Sequence, residues 1–133
     1  MIRRALSDRR GAAALEFAIV CPLIFASVLG ALESGRALYE SNRLNAASAA
    51  GLRALEIAGP GNDSAIVNAV EARFSAPERD RLDVAVTDQT VDGVSFKKIE
   101  LTYEFKFLIN FGPHADGLTF TATRFAPAIA IPT

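Results

Sequence analysis

Glu16 is the side chain whose position most demands a chemical reason. It stands near the start of a long apolar run, RRGAAALEFAIVCPLIFASVLGAL, from Arg9 to Leu32. A carboxylate alone in such a segment costs roughly 2.5–3.5 kcal/mol on membrane-insertion scales. It needs a cationic partner, a proton, or a route by which it snorkels to the interface. The other candidates carry less chemistry. Glu33 and Arg36 flank the far end of the run, where they suit an interfacial ion pair, and Arg36 could reach lipid phosphates. His114 is the single histidine and lies near Asp116. A His/Asp pair without a nucleophile or a third ligand is a poor site and reads as part of a solvated loop. Asp80, Asp83, Asp88 and Asp92 lack the spacing and the glycine of an EF-hand loop. Cys21 is the one cysteine, which excludes an intramolecular disulfide or a multi-cysteine metal site. No Walker loop, dinucleotide fingerprint, HExxH or serine-nucleophile motif is present. The expectation is a chain with no catalytic residue, no metal site and no cofactor.

The elements that carry these residues follow from hydropathy and breakers. Ala12 to Leu32 is 21 residues, which as a helix spans about 30 Å, the hydrocarbon thickness of a bilayer. Residues 1–11 carry Arg3, Arg4, Arg9 and Arg10 against Asp8, a net of +3, and the remaining chain is −4. The basic cluster reads as cytoplasmic by the positive-inside rule, so the rest would sit outside. An acidic remainder excludes a general nucleic-acid binder. The apolar run is too long for the core of a secretory signal. Pro22 removes one helical hydrogen bond, which a membrane helix tolerates as a kink. Ala26, Gly30 and Ser34 recur at every fourth position and would let another helix approach closely, although ordinary membrane-helix composition gives the same pattern.

No strong breaker follows until Gly59-Pro60-Gly61, so the helix is expected to continue to Ala58, about 70 Å from Ala12. Leu38, Ala49, Leu52 and Leu55 supply a modest apolar face, with Ala46 and Ala50 beside it. After the turn, Asp63 or Ser64 can cap a short helix to about Ser75, ended by Pro77. Leu82, Val84 and Val86 alternate with polar residues as a strand, and Asp92-Gly93 marks a turn. The strongest strand is Lys98 to Ile109, with Ile99, Leu101, Tyr103, Phe105, Phe107 and Ile109 on one face. Asn110 to Gly117 reads as a loop and Leu118 to Arg124 as a last strand. A head of this size has a marginal core alone. The expected fold is therefore α+β: a long N-terminal transmembrane helix whose outer half packs on a small three-stranded antiparallel sheet. Its parts would be residues 1–11, 12–32 in the membrane, 33–58 as the outer continuation, and a head over 59–133.

Gly11, then Ala12-Ala13-Ala14-Leu15, then Glu16, lies between a basic stretch and an apolar run. This resembles the processing site of type IV prepilins. The resemblance implies cutting by a prepilin peptidase between Gly11 and Ala12, removal of a leader over 1–11, and methylation of the new N-terminus. Glu16 would become the fifth residue of the mature chain. The ammonium of a neighbouring subunit, shifted along a filament, could then meet this carboxylate and offset the cost of both charges. A glutamate that snorkels or is protonated remains the plainer reading of the residue alone.

The longer match is to the TadE-like family of the tight-adherence (Flp/Tad) pilus system. It rests on Arg9-Arg10-Gly11, Glu16-Phe17-Ala18, Pro22 and Glu33-Ser34-Gly35-Arg36, and on Gly51-Leu52-Arg53, where Leu52 departs from the usual alanine. Major Flp pilins are very short and commonly have tyrosine after the glutamate. Phe17 and a full head point instead to a minor pilin or pseudopilin with a pilin-like fold. The resemblance implies a single-pass protein of the bacterial cytoplasmic (inner) membrane, or of the extracellular pilus. Its partners would be other pilins and minor pilins, the prepilin peptidase and the pilus assembly machinery. Glu16, Phe17 and Pro22 would serve assembly. The alternative is an uncut single-pass scaffold of the assembly or secretion machinery.

Overall fold

Nothing between the basic cluster and Gly59 ends the helix, Pro22 included, and the chain forms one helix over that stretch. A computed structural model describes residues 9–109 and 116–128, with the backbone alone at residues 9 and 10. Residues 1–8 of the expected leader, the loop residues 110–115 with His114, and residues 129–133 lie outside the described residues. Helix α1 is Arg9–Ala58, with Pro22 inside it. It stops where Gly59 takes φ +79°, and the Gly59 N–H closes on the Leu55 carbonyl at 2.9 Å. Helix α2 is Asp63–Glu71 and a one-turn helix α3 is Ala76–Arg79. Strands β1 (Leu82–Val91), β2 (Val94–Lys106) and β3 (Gly117–Pro127) form an antiparallel sheet in the order β1-β2-β3. The α+β class and the three-stranded sheet are as expected.

The chain divides into two compact units, Met1–Arg36 and Ala37–Thr133. The second contains the outer part of α1 and everything after it. Its core joins Leu44, Ala47 and Leu55 of α1 to Ile66 and Val70 of α2, to Phe74, and to Ile99, Leu101, Tyr103 and Phe105 of β2. Each large aliphatic side chain buried this way contributes roughly 1.5–3 kcal/mol. The helix face is the expected one only in part: Leu55 is buried and Leu52 packs against the core. Leu38 is exposed, and the buried positions are Leu44, Ala47, Ser48, Gly51 and Leu55, at three- and four-residue spacing. Small residues define this face because α2 comes close. A Cβ added at Gly51 would lie 2.9 Å from Cγ2 of Val70 and 3.4 Å from Cγ2 of Ile66.

Strand boundaries shift for a reason fixed at the turn. Asp92 (φ 51°) and Gly93 (φ 79°) are both in the left-handed region, as a two-residue type I′ hairpin requires. Pairing then starts at Val91–Val94, so β2 begins four residues earlier than expected and ends at Lys106, before Phe107 and Ile109. In register, Lys97 falls on the inner face beside Ile99 and is 4% exposed. Its Nζ donates to Asp63 Oδ1 at 2.8 Å and to Asp88 Oδ1 at 2.9 Å. Hydrogen bonds to these two carboxylates, Asp63 first, raise the Lys97 pKa and keep it charged.

Around α2 and α3 the local expectations need correcting. Asn62, not Asp63 or Ser64, caps α2, its side-chain oxygen accepting from the Ala65 N–H at 3.2 Å. Pro77 does not end a helix reaching Ser75. It sits in the first turn of α3, where its missing N–H costs nothing, behind a Ser75-x-x-Glu78 start. The Ser75 N–H donates to Glu78 Oε2 at 2.7 Å. The last strand runs on through Pro127 rather than stopping at Arg124.

Candidate functional site

In the unit Met1–Arg36 the apolar side chains of α1 point outward on every side. Leu15, Phe17, Ile19, Leu23, Ile24, Phe25 and Leu32 are all exposed. The helix is long and apolar enough to cross a membrane, and none of its most apolar stretch is buried. The hydroxyls within it satisfy themselves: Ser27 Oγ donates to the Leu23 carbonyl and Ser34 Oγ to the Gly30 carbonyl, each at 2.8 Å.

Gly11, Ala12, Glu16 and Phe17 all lie on this helix and are exposed. Ala12 and Glu16 are four residues apart and share a face, so an amine at Ala12 and the Glu16 carboxylate would sit one turn from each other. A second chain offset along the axis could bring one against the other. Phe17 and Pro22 stand exposed on the same helix, and Cys21 is half-buried. Ala26 and Ser34 are exposed, and a Cβ at Gly30 would meet nothing within 4 Å. Ala26, Gly30 and Ser34 thus share one side of α1.

At the end of the apolar stretch, Arg36 Nη1 donates to Glu33 Oε2 at 2.7 Å, the ion pair expected from their spacing. Glu33 is 5% exposed, a burial the sequence did not signal.

In the second unit, two polar clusters tie α1 to its neighbours. Arg43 Nη1 and Nη2 donate to the two carboxylate oxygens of Glu78 at 2.7 and 2.8 Å. Its Nε and Nη2 also donate to the Arg73 carbonyl, at 2.9 and 2.7 Å, just beyond the end of α2. The guanidinium lies 4.5 Å from the centre of the Phe74 ring. The Arg43 hydrogen bonds hold Glu78 down to about 2, with the Ser75 hydroxyl and N–H adding to them against the effect of burial. Arg43 is raised in turn, chiefly by its hydrogen bonds to Glu78. Farther along α1, Ser48 Oγ donates to the Asn45 carbonyl at 2.8 Å and accepts from Arg124 Nε at 3.3 Å. Burial raises the Tyr103 phenol, with Glu40 adding to the shift.

Residues 11–53 match the family model described as TadE-like protein. No curated protein and no solved structure matches the chain. The matched segment begins at Gly11, takes in Glu16, Phe17, Pro22 and the Glu33–Arg36 pair, and ends two residues beyond Gly51. The similarity to that family model covers Gly11 to Arg53 alone, well under half of the chain.

Proposed function

We propose that this chain is a minor pilin or pseudopilin of a Tad-type pilus. It would be inserted in the bacterial cytoplasmic membrane with its basic N-terminus inside and the head outside. A prepilin peptidase would cut between Gly11 and Ala12. The mature chain would then join other pilins to initiate, prime or cap the filament. It is a substrate of processing rather than an enzyme. The observation that carries this reading is the unburied apolar stretch Ala12–Leu32 with its single carboxylate, Glu16, one turn from Ala12, inside the segment that matches the TadE-like model. The new ammonium at Ala12 gives Glu16 a charge partner that lipid cannot provide. Extraction from the membrane into a filament would be driven by the assembly machinery.

Gly11→Ala tests it. The prediction is an uncut chain that accumulates in the membrane, with the protein lost from the sheared pilus fraction. An uncut scaffold would be indifferent to the same change. Unaltered pili carrying the Gly11→Ala chain would overturn the proposal.

A further inference from the structure

The sheet has two edges, and the backbone bonds at the strand ends fix which groups face outward. The Ala128 N–H donates to the Ser95 carbonyl at 2.8 Å, and the Phe107 N–H donates to the Asp116 carbonyl at 3.2 Å. Even-numbered residues of β3 therefore bond to β2. The N–H and C=O groups of Thr119, Thr121, Thr123 and Phe125 point away from it. The Glu104 N–H donates to the Arg81 carbonyl at 3.0 Å, so on β1 the outward groups belong to Leu82, Val84, Val86, Asp88 and Thr90. Among the described residues no backbone hydrogen bond reaches either outward set. Edge strands are ordinarily blunted by lysine, proline, a bulge or an inward charge. Before Pro127, β3 has only the last of these, Arg124, and its register with β2 is unbroken.

The two edges complement each other. Both β1 and β3 pair antiparallel with β2, so they run the same way. A β1 from a second copy can therefore join β3 as a parallel neighbour. The lengths match, with 10 residues in β1 and 11 in β3. Aligned over those lengths, Leu118 meets Leu82 of the second copy, Phe120 meets Val84, Ala122 meets Val86, and Arg124 meets Asp88, all on the inner face. Within one copy Leu82, Val84, Val86 and Phe120 are only partly buried, and Leu118 is 47% exposed. The joint covers them. Arg124 spends its Nε on Ser48 Oγ at 3.3 Å, and its Nη atoms have no partner among the described residues. The Asp88 side chain is 73% exposed. Its carboxylate accepts from Lys97 and keeps lone pairs for a guanidinium. On the outer face Thr123 meets Thr87. Like edges fit less well. Pairing β1 with β1 sets Asp83 and Asp88 of both copies along one seam, and pairing β3 with β3 leaves both Arg124 side chains without a carboxylate.

We propose that β3 of one copy takes β1 of a second copy as a parallel fourth strand, joined along the Thr119–Phe125 edge and locked by an Arg124–Asp88 ion pair. The joint is head-to-tail. Because the joined edges differ, it does not close on itself, and each added copy offers a new β3 edge. It lies wholly within the unit Ala37–Thr133 and depends neither on the cut after Gly11 nor on the pilus reading.

The test uses the full chain carrying Cys21→Ser. Two differently tagged variants, Thr123→Cys and Thr87→Cys, are made in one cell and treated with a short bis-methanethiosulfonate. Both positions are exposed. The expected result is a mixed-tag dimer, in several-fold higher yield than the dimer from either variant alone. The yield should also exceed several-fold that of Thr123→Cys with Asp83→Cys, which is four residues out of register. Thr121→Cys with Ala85→Cys is the second pair should the first fail to fold. Arg124→Glu in the Thr123→Cys chain should lower the mixed yield several-fold. Absence of a mixed dimer from both pairs would overturn the proposal. So would an equal yield out of register, which marks random collision, or an equal dimer from Thr123→Cys alone, which marks β3 against β3. A mixed yield indifferent to Arg124→Glu would overturn the ion pair that sets the register. The cross-link is read on the chain whether it starts at Met1 or at Ala12, so its outcome is separate from that of processing.

Discussion

Glu78 shows how a single side chain can fasten an element. It accepts from both Arg43 nitrogens and from the Ser75 N–H, and these contacts hold its pKa near 2 against an ordinary 4.5. A depressed carboxylate stabilises the fold fully above its unfolded pKa and loses that contribution as pH falls through its folded pKa. Protection of the α2 and α3 amides in hydrogen exchange should therefore fall between about pH 4.5 and pH 2, measured on the full chain in detergent. Glu78→Gln should weaken that protection at neutral pH and flatten its fall over the same window. An unchanged acid profile in the variant would assign the stability elsewhere. Glu16 belongs to the same scale but to another environment. With its proposed partner supplied by a second chain, Glu16→Gln should leave membrane insertion intact and reduce recovery in sheared pili; equal recovery would remove its assembly role. Its oddity was legible in the sequence, because one carboxylate in an apolar run stands out. Lys97 was not legible, because a charged residue on the inner face looks like a break in the alternation until Asp63 and Asp88 are brought beside it.

Elements whose signal is local were read correctly, and those set by a distant partner were not. The helix to Ala58, the Asp92-Gly93 turn and the alternation of Ile99 to Phe105 each depend on residues next to one another. The start of β2 depends on the turn's pairing, which places Phe96 and Lys97 where the hydropathy pattern gives no cue. Helix α3 was hidden because proline ends some helices and opens others, and Glu78 three residues after Ser75 is the cue that separates the two. The buried face of α1 was read only in part because leucines were counted and the close approach of α2 could not be. Ala47, Ser48 and Gly51 are small where Val70 and Ile66 press against the helix. Gly51→Leu should therefore destabilise the head by about 1–3 kcal/mol through overpacking. Gly51→Ala should cost much less, since the gain in helix propensity of about 1 kcal/mol opposes a clash with one methyl. Thermal unfolding of both variants in detergent measures the difference. Equal midpoints would mean that α2 does not pack where it is placed.

The molecule joins a stretch long and apolar enough to cross a membrane with a unit that has its own hydrophobic core. Among its described residues the N-terminal unit leaves its most apolar stretch unburied, while Ala37–Thr133 has a core that uses the later part of α1 as its cover. The family match stops at Arg53, within that same helix, and leaves the sheet without a matched relative. The central claim is that the N-terminal segment is made to be cut and then buried among other helices. The direct measurement is the N-terminus and intact mass of the protein from native membranes, with and without the host's prepilin peptidase. A chain that starts at Ala12 only when the peptidase is present is the predicted result, and it supplies the ammonium that Glu16 needs. A chain that starts at Met1 in both strains would contradict the account and leave an uncut membrane scaffold in its place.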